Sequence, residues 1–339
     1  MHLHVHVTIP MTSKNVTVRD LAIAAGVSIG TVSRALKNQQ GLSAQTRADV
    51  LRVAQELGYD VSKLRSGKPR RVLFLFNRAH TSLSANPFYS VVLQGVEQAC
   101  REEHVSLSLL SMGVGDPVQS WVRRHEPDAL LAVGYFDHEL LSEIRQIDLP
   151  MVMVDHLSQH CFCVNDDNEQ GAWLATRHLI DHGCSRIAMI SGPATHHSVA
   201  LRSRGYRRAL FEAGRLADPD LDVTLDPALA YADAAMAAMN QLLALPKRPD
   251  AVFAYNDETA LNAMQACIDA GLSIPGDIAF VGYDDIAAAA RAQPTLSTVR
   301  VDKEDMGRQA AIHLILGNVG PGEELLPVEL LVRESSSRN

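Results

Sequence analysis

The sequence predicts a small all-α headpiece followed by a two-lobed α/β body built on parallel, doubly wound sheets. Three observations carry this. Residues 17–58 place helix caps and helix stops at short intervals, with no strand-like run between them. After Arg71 the texture changes to nearly continuous apolar runs that alternate with amphipathic stretches, the pattern of strands covered by helices on both faces. The roughly 260 residues that follow Arg71 leave room for two such units in tandem.

The chain begins "MHLHVHVTIP" ahead of a second methionine, Met11. His2, His4 and His6 alternate like ligands on one strand face, but a free terminus of this kind is expected to form a disordered extension over residues 1–11. In the headpiece, residues 12–60, Thr17 and Asp20 have the spacing of a relaxed capping pair, and "VRDLAIAA" then runs to Gly26, a natural stop. Ser28 is placed to cap a second helix reaching about Leu36, and Ser43 a third, "AQTRADVLRVAQEL", closed by Gly58. "SKLRSGKPRR" follows as a basic linker, residues 61–70, with a turn at Gly67 and Pro69. Strands are expected at 72–76, 105–110, 129–133, 151–154, 186–190, 251–255 and 278–282. Helices such as "SVVLQGVEQACREE" and "EQGAWLATRHLIDHG" lie between them. No solenoid-like repeat is visible.

The chain has a formal net charge of −8, distributed unevenly. Between Thr12 and Arg71 there are 11 Lys and Arg against four acids, a balance of +7 that leaves −15 on the remainder. A basic head can neutralise phosphates while an acidic body discourages non-specific contact. With 47% hydrophobic residues the chain can bury a large core. No apolar run reaches the ~18–20 residues of a membrane span, and the N-terminus lacks a secretory pattern. Cys100, Cys161, Cys163, Cys184 and Cys267 form an odd, scattered set that suits a reducing compartment. The expectation is a cytoplasmic protein with no membrane partner.

In "DLAIAAGVSIGTVSRAL", Ala22 and Ala25 are small where two helices must cross, Gly26 allows a tight turn, and Val27 and Val32 can fill the seam. The second helix then offers Ile29, Gly30, Ser33 and Arg34 outwards near its N-terminal end, as a major-groove reader does. "VTVRDLAIAAGVSIGTVSRALKN" resembles the headpiece of the lactose-repressor family (LacI/GalR). "NPFYSVVLQGVEQACREE", "RIAMISGP", "LRSRGYRRAL", "AYNDETALNAM", "IPGDIAFVGYDD" and "QPTLSTVRVDKEDMGRQAAIHL" follow in that family's order, so the resemblance runs from about Val16 to Glu334. It implies a helix-turn-helix DNA-binding domain and a body like the type I periplasmic binding proteins. One lobe would take residues 71–168 with about 298–322, the other about 169–297 with about 323–335. Double-stranded operator DNA, a small-molecule effector and a second copy of the chain are the implied partners, with no heptad tail to hold a tetramer.

By the same resemblance the base-reading positions fall on Ile29, Gly30 and Arg34. Arg34 can make the bidentate contact to guanine, worth ~1–3 kcal/mol of discrimination, and Ile29 only an apolar contact. Gly30 has no side chain with which to read. Thr17, Ser28, Thr31 and Asn38 suit phosphate contacts, which position without specifying. The linker departs from the family: "GYDVSKLRSGK" lacks the usual proline and is about three residues short. Leu64 matches the leucine that wedges into the minor groove, but the short segment predicts a weaker operator bend than in relatives.

The resemblance places candidate cleft residues at Asn86, Phe88, Asp155, Ser198, Arg202, Asn256 and Asp284. The carboxylates accept hydroxyl hydrogen bonds, Arg202 donates a planar fork, Asn256 does both, and Phe88, with Tyr135 or Phe136, can cover an apolar sugar face. Asn256 and Asp257 are equally placed to cap the next helix, Asp284 to brace a loop and Arg202 to be a surface charge, and these alternatives stay open. "ALLAVGYFDHELL" looks most like galactoside-sensing members of the family, which gives a weak lean to galactosides or oligosaccharides. A phosphorylated metabolite, a purine or a protein co-effector are the alternatives, as is a sugar-binding transport receptor. "DHLSQHCFC" gathers two His and two Cys at a spacing that is no standard zinc pattern. With no Walker loop, G-x-G-x-x-G or nucleophile elbow, neither an enzyme, a metal site nor a cofactor is expected.

Overall fold

The computed structural model describes residues 18–36, 42–57, 59, 68–78 and 87–337. Thr17, Asn38, Leu64, Asn86 and the side chain of Ser33 lie outside the described residues, as do the N-terminal histidines. The chain divides after Lys68 into a headpiece and a body.

The headpiece contains α1 (Val18–Ala25), α2 (Ile29–Leu36) and α3 (Ala44–Glu56). Gly26 takes φ +65, which ends α1 and lets the Val27 N–H turn back to the Ala22 carbonyl at 3.1 Å. Ser28 Oγ accepts from the Thr31 N–H, and Ser43 Oγ from the Thr46 N–H, each at 3.0 Å. Each cap satisfies a donor that the helix cannot, a contribution of ~1 kcal/mol. Leu21, Val32, Val50 and Ala54 are fully buried together, so one small core holds all three helices.

The body's first sheet has the order β11-β5-β4-β3-β1-β2. Its strands are β1 (Arg71–Asn77), β2 (Ser106–Met112), β3 (Ala129–Val133), β4 (Met151–Val154), β5 (Phe162–Asp166) and β11 (Gly322–Leu326), all parallel to their neighbours. The second sheet has the order β12-β10-β9-β8-β6-β7. It joins β6 (Ile187–Ser191), β7 (Asp222–Thr224), β8 (Ala251–Ala254), β9 (Ala279–Asp284), β10 (Ser297–Val301) and β12 (Val328–Leu331), with β12 antiparallel to β10. Both sheets thus repeat one winding, and each reverses direction beside its first strand. β3, β4, β6, β8 and β9 are buried at every position, because helices cover both faces.

Helices α5 (Val118–His125) and α6 (His138–Arg145) pack on the first sheet and α9 (Tyr231–Leu243) on the second, while glycines let the inner helices approach closely. α4 (Pro87–Glu102) crosses α11 (Lys303–Leu316) where a Cβ on Gly95 would lie 1.9 Å from the Glu304 carbonyl oxygen. α7 (Asn168–Asp181) meets α8 (His197–Glu212) where a Cβ on Gly205 would lie 2.1 Å from the Glu169 carbonyl oxygen. The chain moves between sheets after β5, after β10 and after β11. β10 therefore belongs to the second lobe and β11 to the first, a few residues later than the expected boundaries at 298 and 322. Strand pairing decides this: Thr298 aligns with Gly282 of β9, and Glu324 with Val164 of β5. β7, β10, β11 and β12 were not expected from sequence, and β5 only as a strand of no set bounds after the His156–Cys163 loop: β7, β11 and β12 are sheet edges, while β5 and β10 are internal strands whose polar residues (Asn165 and Asp166; Ser297, Thr298 and Arg300) break the apolar run.

Candidate ligand cleft and nucleic-acid interface

In open α/β sheets ligands bind outside the carboxyl ends of the strands, where the winding reverses. Here those ends carry a cluster of polar side chains from both lobes, half-buried at Asp155 and buried at Asp166, Arg202 and Asp284. Asp155 follows β4 at φ +55, Asp166 ends β5, and Asp284 ends β9 at φ +105. Arg202 reaches them from α8 and is only 5% exposed, so it is no surface charge. Its Nε donates to Asn168 Oδ1 at 2.7 Å, and its Nη1 donates to the Tyr255 carbonyl at 2.6 Å. The guanidinium carbon sits 3.6 Å above the centre of the Tyr283 ring, a cation–π contact strengthened by its removal from water. Nη2 faces Asp284 Oδ1 at 3.4 Å. That is an ion pair too long for a good hydrogen bond, and Asp284 Oδ1 is buried without a hydrogen-bond partner.

The other two carboxylates are capped by phenols. Tyr89 donates to Asp155 Oδ2 at 2.8 Å and Tyr283 to Asp166 Oδ2 at 2.6 Å, the second bond joining the two lobes. Burial pushes the Asp284 carboxyl up to about 7, against the opposing pull of Arg202 and Lys303. Burial likewise raises Asp166. Burial works against the charge on Arg202, but Asp284 and the neighbouring carboxylates outweigh it and hold the guanidinium charged. Ser198 lies one turn before Arg202 on the same buried face of α8.

Asn256 does cap α10 (Asp257–Asp269): its Oδ1 accepts from the Thr259 N–H at 2.9 Å, while its Nδ2 donates to the Tyr231 hydroxyl at 2.8 Å. It borders the cleft through Tyr255, whose carbonyl holds Arg202. Asp257 is fully buried and braces the loop after β9, accepting from the Ile286 N–H at 2.8 Å. Phe88 is 5% exposed and packs edge-on against Tyr89 rather than standing open as a ring platform. Phe136 is buried in the outer core of the first lobe. Tyr135 instead crosses the lobes, its ring stacked on His196 with centroids 4.3 Å apart. His156 meets the same tyrosine edge-on at 6.5 Å. Burial, then the nearby His197 and Arg145, lower the His156 imidazole to about 4, so it is neutral at pH 7.

Sequence reasoning missed Tyr89, Asn168, Tyr255, Tyr283 and Lys303, all within or beside motifs it had singled out. A cavity of about 530 Å³ lies elsewhere, on the other side of α8 against β7, lined by Ser203, Arg207, Asp218 and Thr224 among others. It shares no residue with the carboxylate cluster. Cys161 and Cys163 are free thiols buried in the first lobe's outer core, and no three His, Cys, Asp or Glu side chains gather as metal ligands among the described residues.

In the headpiece, Ile29 is 53% exposed and Gly30 exposed beside it at the start of α2, and Arg34 is exposed one turn further on. A Cβ on Gly30 would meet only Ser28 Oγ, at 3.8 Å. Arg34 Nε donates to the Gly30 carbonyl at 3.3 Å, which keeps the guanidinium along the N-terminal turn. Ser28 Oγ and Thr31 Oγ1 bond to each other at 2.8 Å, so both hydroxyls serve the cap as well as facing solvent.

Residues 17–62 match the family described as bacterial regulatory proteins, lacI family, and residues 176–336 match a periplasmic-binding-protein-like domain. The ribose operon repressor of Escherichia coli (strain K12) is 36% identical over 313 residues, covering 88% of this chain and 92% of the relative. The structure of the transcriptional regulator CelR–cellobiose complex superposes with a TM-score of 0.73 at 31% identity, covering 94% of this chain and 99% of that one. The lac repressor dimer bound to operator and the anti-inducer ONPF shares the fold, with a TM-score of 0.69 at 24% identity over 95% of this chain and 99% of that one.

Proposed function

The chain belongs to the LacI family of bacterial regulatory proteins, and from this premise we propose that a neutral, hydroxyl-rich effector between its lobes controls its repression of transcription. It is a DNA-binding regulator with a small-molecule effector, and its relatives are regulators, not enzymes. We read it as a cytoplasmic homodimer that sets one Arg34 in each half-site of a pseudo-palindromic operator. The operator-bound dimer of the same fold supports that reading.

The observation that carries the choice of effector is the buried, unbonded Asp284 Oδ1 facing Arg202 in a cluster with Asp155 and Asp166. An acceptor of this kind suits a ligand hydroxyl. A phosphate would add about −1.5 to −2 charges beside three carboxylates, with an already engaged Arg202 as the guanidinium to meet it. This weighs against a phosphorylated metabolite among the alternatives. Nothing in the comparisons singles out galactosides. The ribose operon repressor, 36% identical, makes a pentose the first candidate, and the cellobiose complex keeps a disaccharide second.

Calorimetric titration with D-ribose, cellobiose, D-galactose and ribose 5-phosphate tests this, followed by binding to an operator duplex selected from a random library. A neutral sugar should bind at least about tenfold more tightly than ribose 5-phosphate and change operator affinity. Tighter binding of the phosphate, or no response to any neutral sugar, overturns the effector reading. Ligand can shift the operator-competent population only by its differential affinity for the two states.

A further inference from the structure

Lys303 is the first residue of α11, a helix packed on α4 of the first lobe, yet its side chain points into the second. It is only 9% exposed. Its ammonium donates to three backbone carbonyls: Asp284, Asp285 at 3.3 Å and Val301 at 3.2 Å. Three N–H donors meet three acceptors, so the buried charge is fully hydrogen-bonded. All three acceptors lie at the ends of second-lobe strands, Asp284 and Asp285 at the end of β9 and Val301 at the end of β10, where the chain crosses to the first lobe.

What it holds is a strained loop. Asp284 and Asp285 take φ +105 and +50, in the region that disfavours residues with a Cβ. Such conformations persist only where surrounding contacts over-determine them. The side chain of Asp285 is gripped by Arg300 at 2.9 Å and Arg333 at 2.6 Å, both from the second lobe. Asp257 holds the Ile286 N–H from the same lobe. Lys303 adds a grip on the backbone of this turn from a first-lobe helix.

We infer that Lys303 is a positioning residue: it fixes the left-handed turn that aims Asp284 at the effector, and so ties effector occupancy to the α11 end of the lobe crossing. This rests on the reading of Asp284 as an effector-site residue. The alternative is a lysine that merely fills a buried polar gap.

The test uses the full-length protein with the variants Lys303→Met, Lys303→Arg and Asp284→Asn, and D-ribose as probe. Hydrogen exchange of the segment spanning residues 284–286, without any sugar, reports the turn itself. Lys303→Met should speed exchange there about tenfold or more, at unchanged exchange in β6 and β8, and Lys303→Arg should restore most of the protection. Unchanged exchange overturns the inference, and so does faster exchange spread evenly over the body.

If wild-type protein binds D-ribose, Lys303→Met should weaken that binding about tenfold and shift its pH profile, while sugar-free operator affinity stays within about threefold. Asp284 faces Arg202, Lys303, Asp155 and Asp166. Removing the Lys303 charge therefore raises the pH below which Asp284 is protonated, and binding fails at a higher pH than in wild type. An unmoved profile together with wild-type ribose affinity overturns the inference. If wild type binds no sugar, the effector reading fails and the exchange result alone decides the role of Lys303.

Discussion

At Arg202 a guanidinium almost wholly removed from water is held by an amide, a carbonyl, a ring face and a carboxylate. Removing one partner of such a set strands the others, at a cost of ~3–5 kcal/mol. Arg202→Ala should abolish effector binding by calorimetry and lower the thermal midpoint of the body. A variant that keeps wild-type effector affinity refutes the cleft assignment. Asp284 gives the pH dependence its sign. In the unfolded chain it ionises near 3.8 and in the folded protein near 7. Between those values the folded state holds the extra proton, so this residue's contribution to stability is full below the lower value and fades as pH rises to about 7. Asp284→Asn should flatten that slope in denaturant melts between pH 4 and pH 7, and an unchanged slope would assign it elsewhere. In the headpiece, Arg34→Ala should erase operator preference while sparing effector binding; surviving preference would point to DNA shape as the selector. At this scale the motifs named the residues but not their duties. "AYNDETALNAM" was equally compatible with a cap and a cleft residue, and Asn256 turned out to cap while bordering the cleft. Tyr89 and Tyr283 were invisible as carboxylate caps, because their partners lie 66 and 117 residues away along the chain.

Among the elements, the recognition helix α2 shows how a local rule can be set aside at a functional surface. Gly30 has open space where a Cβ would stand, and its absence from the core leaves no packing reason for glycine. Gly30→Ala should stabilise the headpiece by ~1 kcal/mol, read in the full-length protein as slower hydrogen exchange across α2. It should also alter operator affinity if the missing side chain admits the DNA backbone. Gly95 is the opposite case, since an alanine methyl there would overlap the Glu304 carbonyl. Gly95→Ala should force α4 and α11 apart and destabilise the body by ~1–3 kcal/mol, read as a lower urea midpoint. The central strands were legible because burial on both faces writes them as unbroken apolar runs. The edge strands β7, β11 and β12 were not, since "DVT", "GEELL" and "VELL" have no such pattern and become strands only by pairing with a neighbour.

Over the whole molecule, the division of charge into a +7 head and a −15 remainder makes operator binding strongly salt-dependent. Log affinity should fall linearly with log salt for the operator, while sugar affinity of the body changes little, because the cleft charges of Arg202 and Asp284 are buried and little screened by salt. The short linker adds a second outcome: a strong operator bend that disappears in Leu64→Ala would refute the expected weak bending. The sequence by itself determined the headpiece, the parallel α/β body and the family, and it named the candidate positions that remain to be tested. These depend on local features — caps, apolar runs, glycine stops and ordered motifs — that a chain carries before it folds. The tertiary structure alone decided where the chain crosses between lobes, which carboxylates share Arg202, and that Lys303 reaches back beneath Asp284. Those facts rest on pairings between distant residues, whose energies exist only once the two sheets have brought their strand ends together.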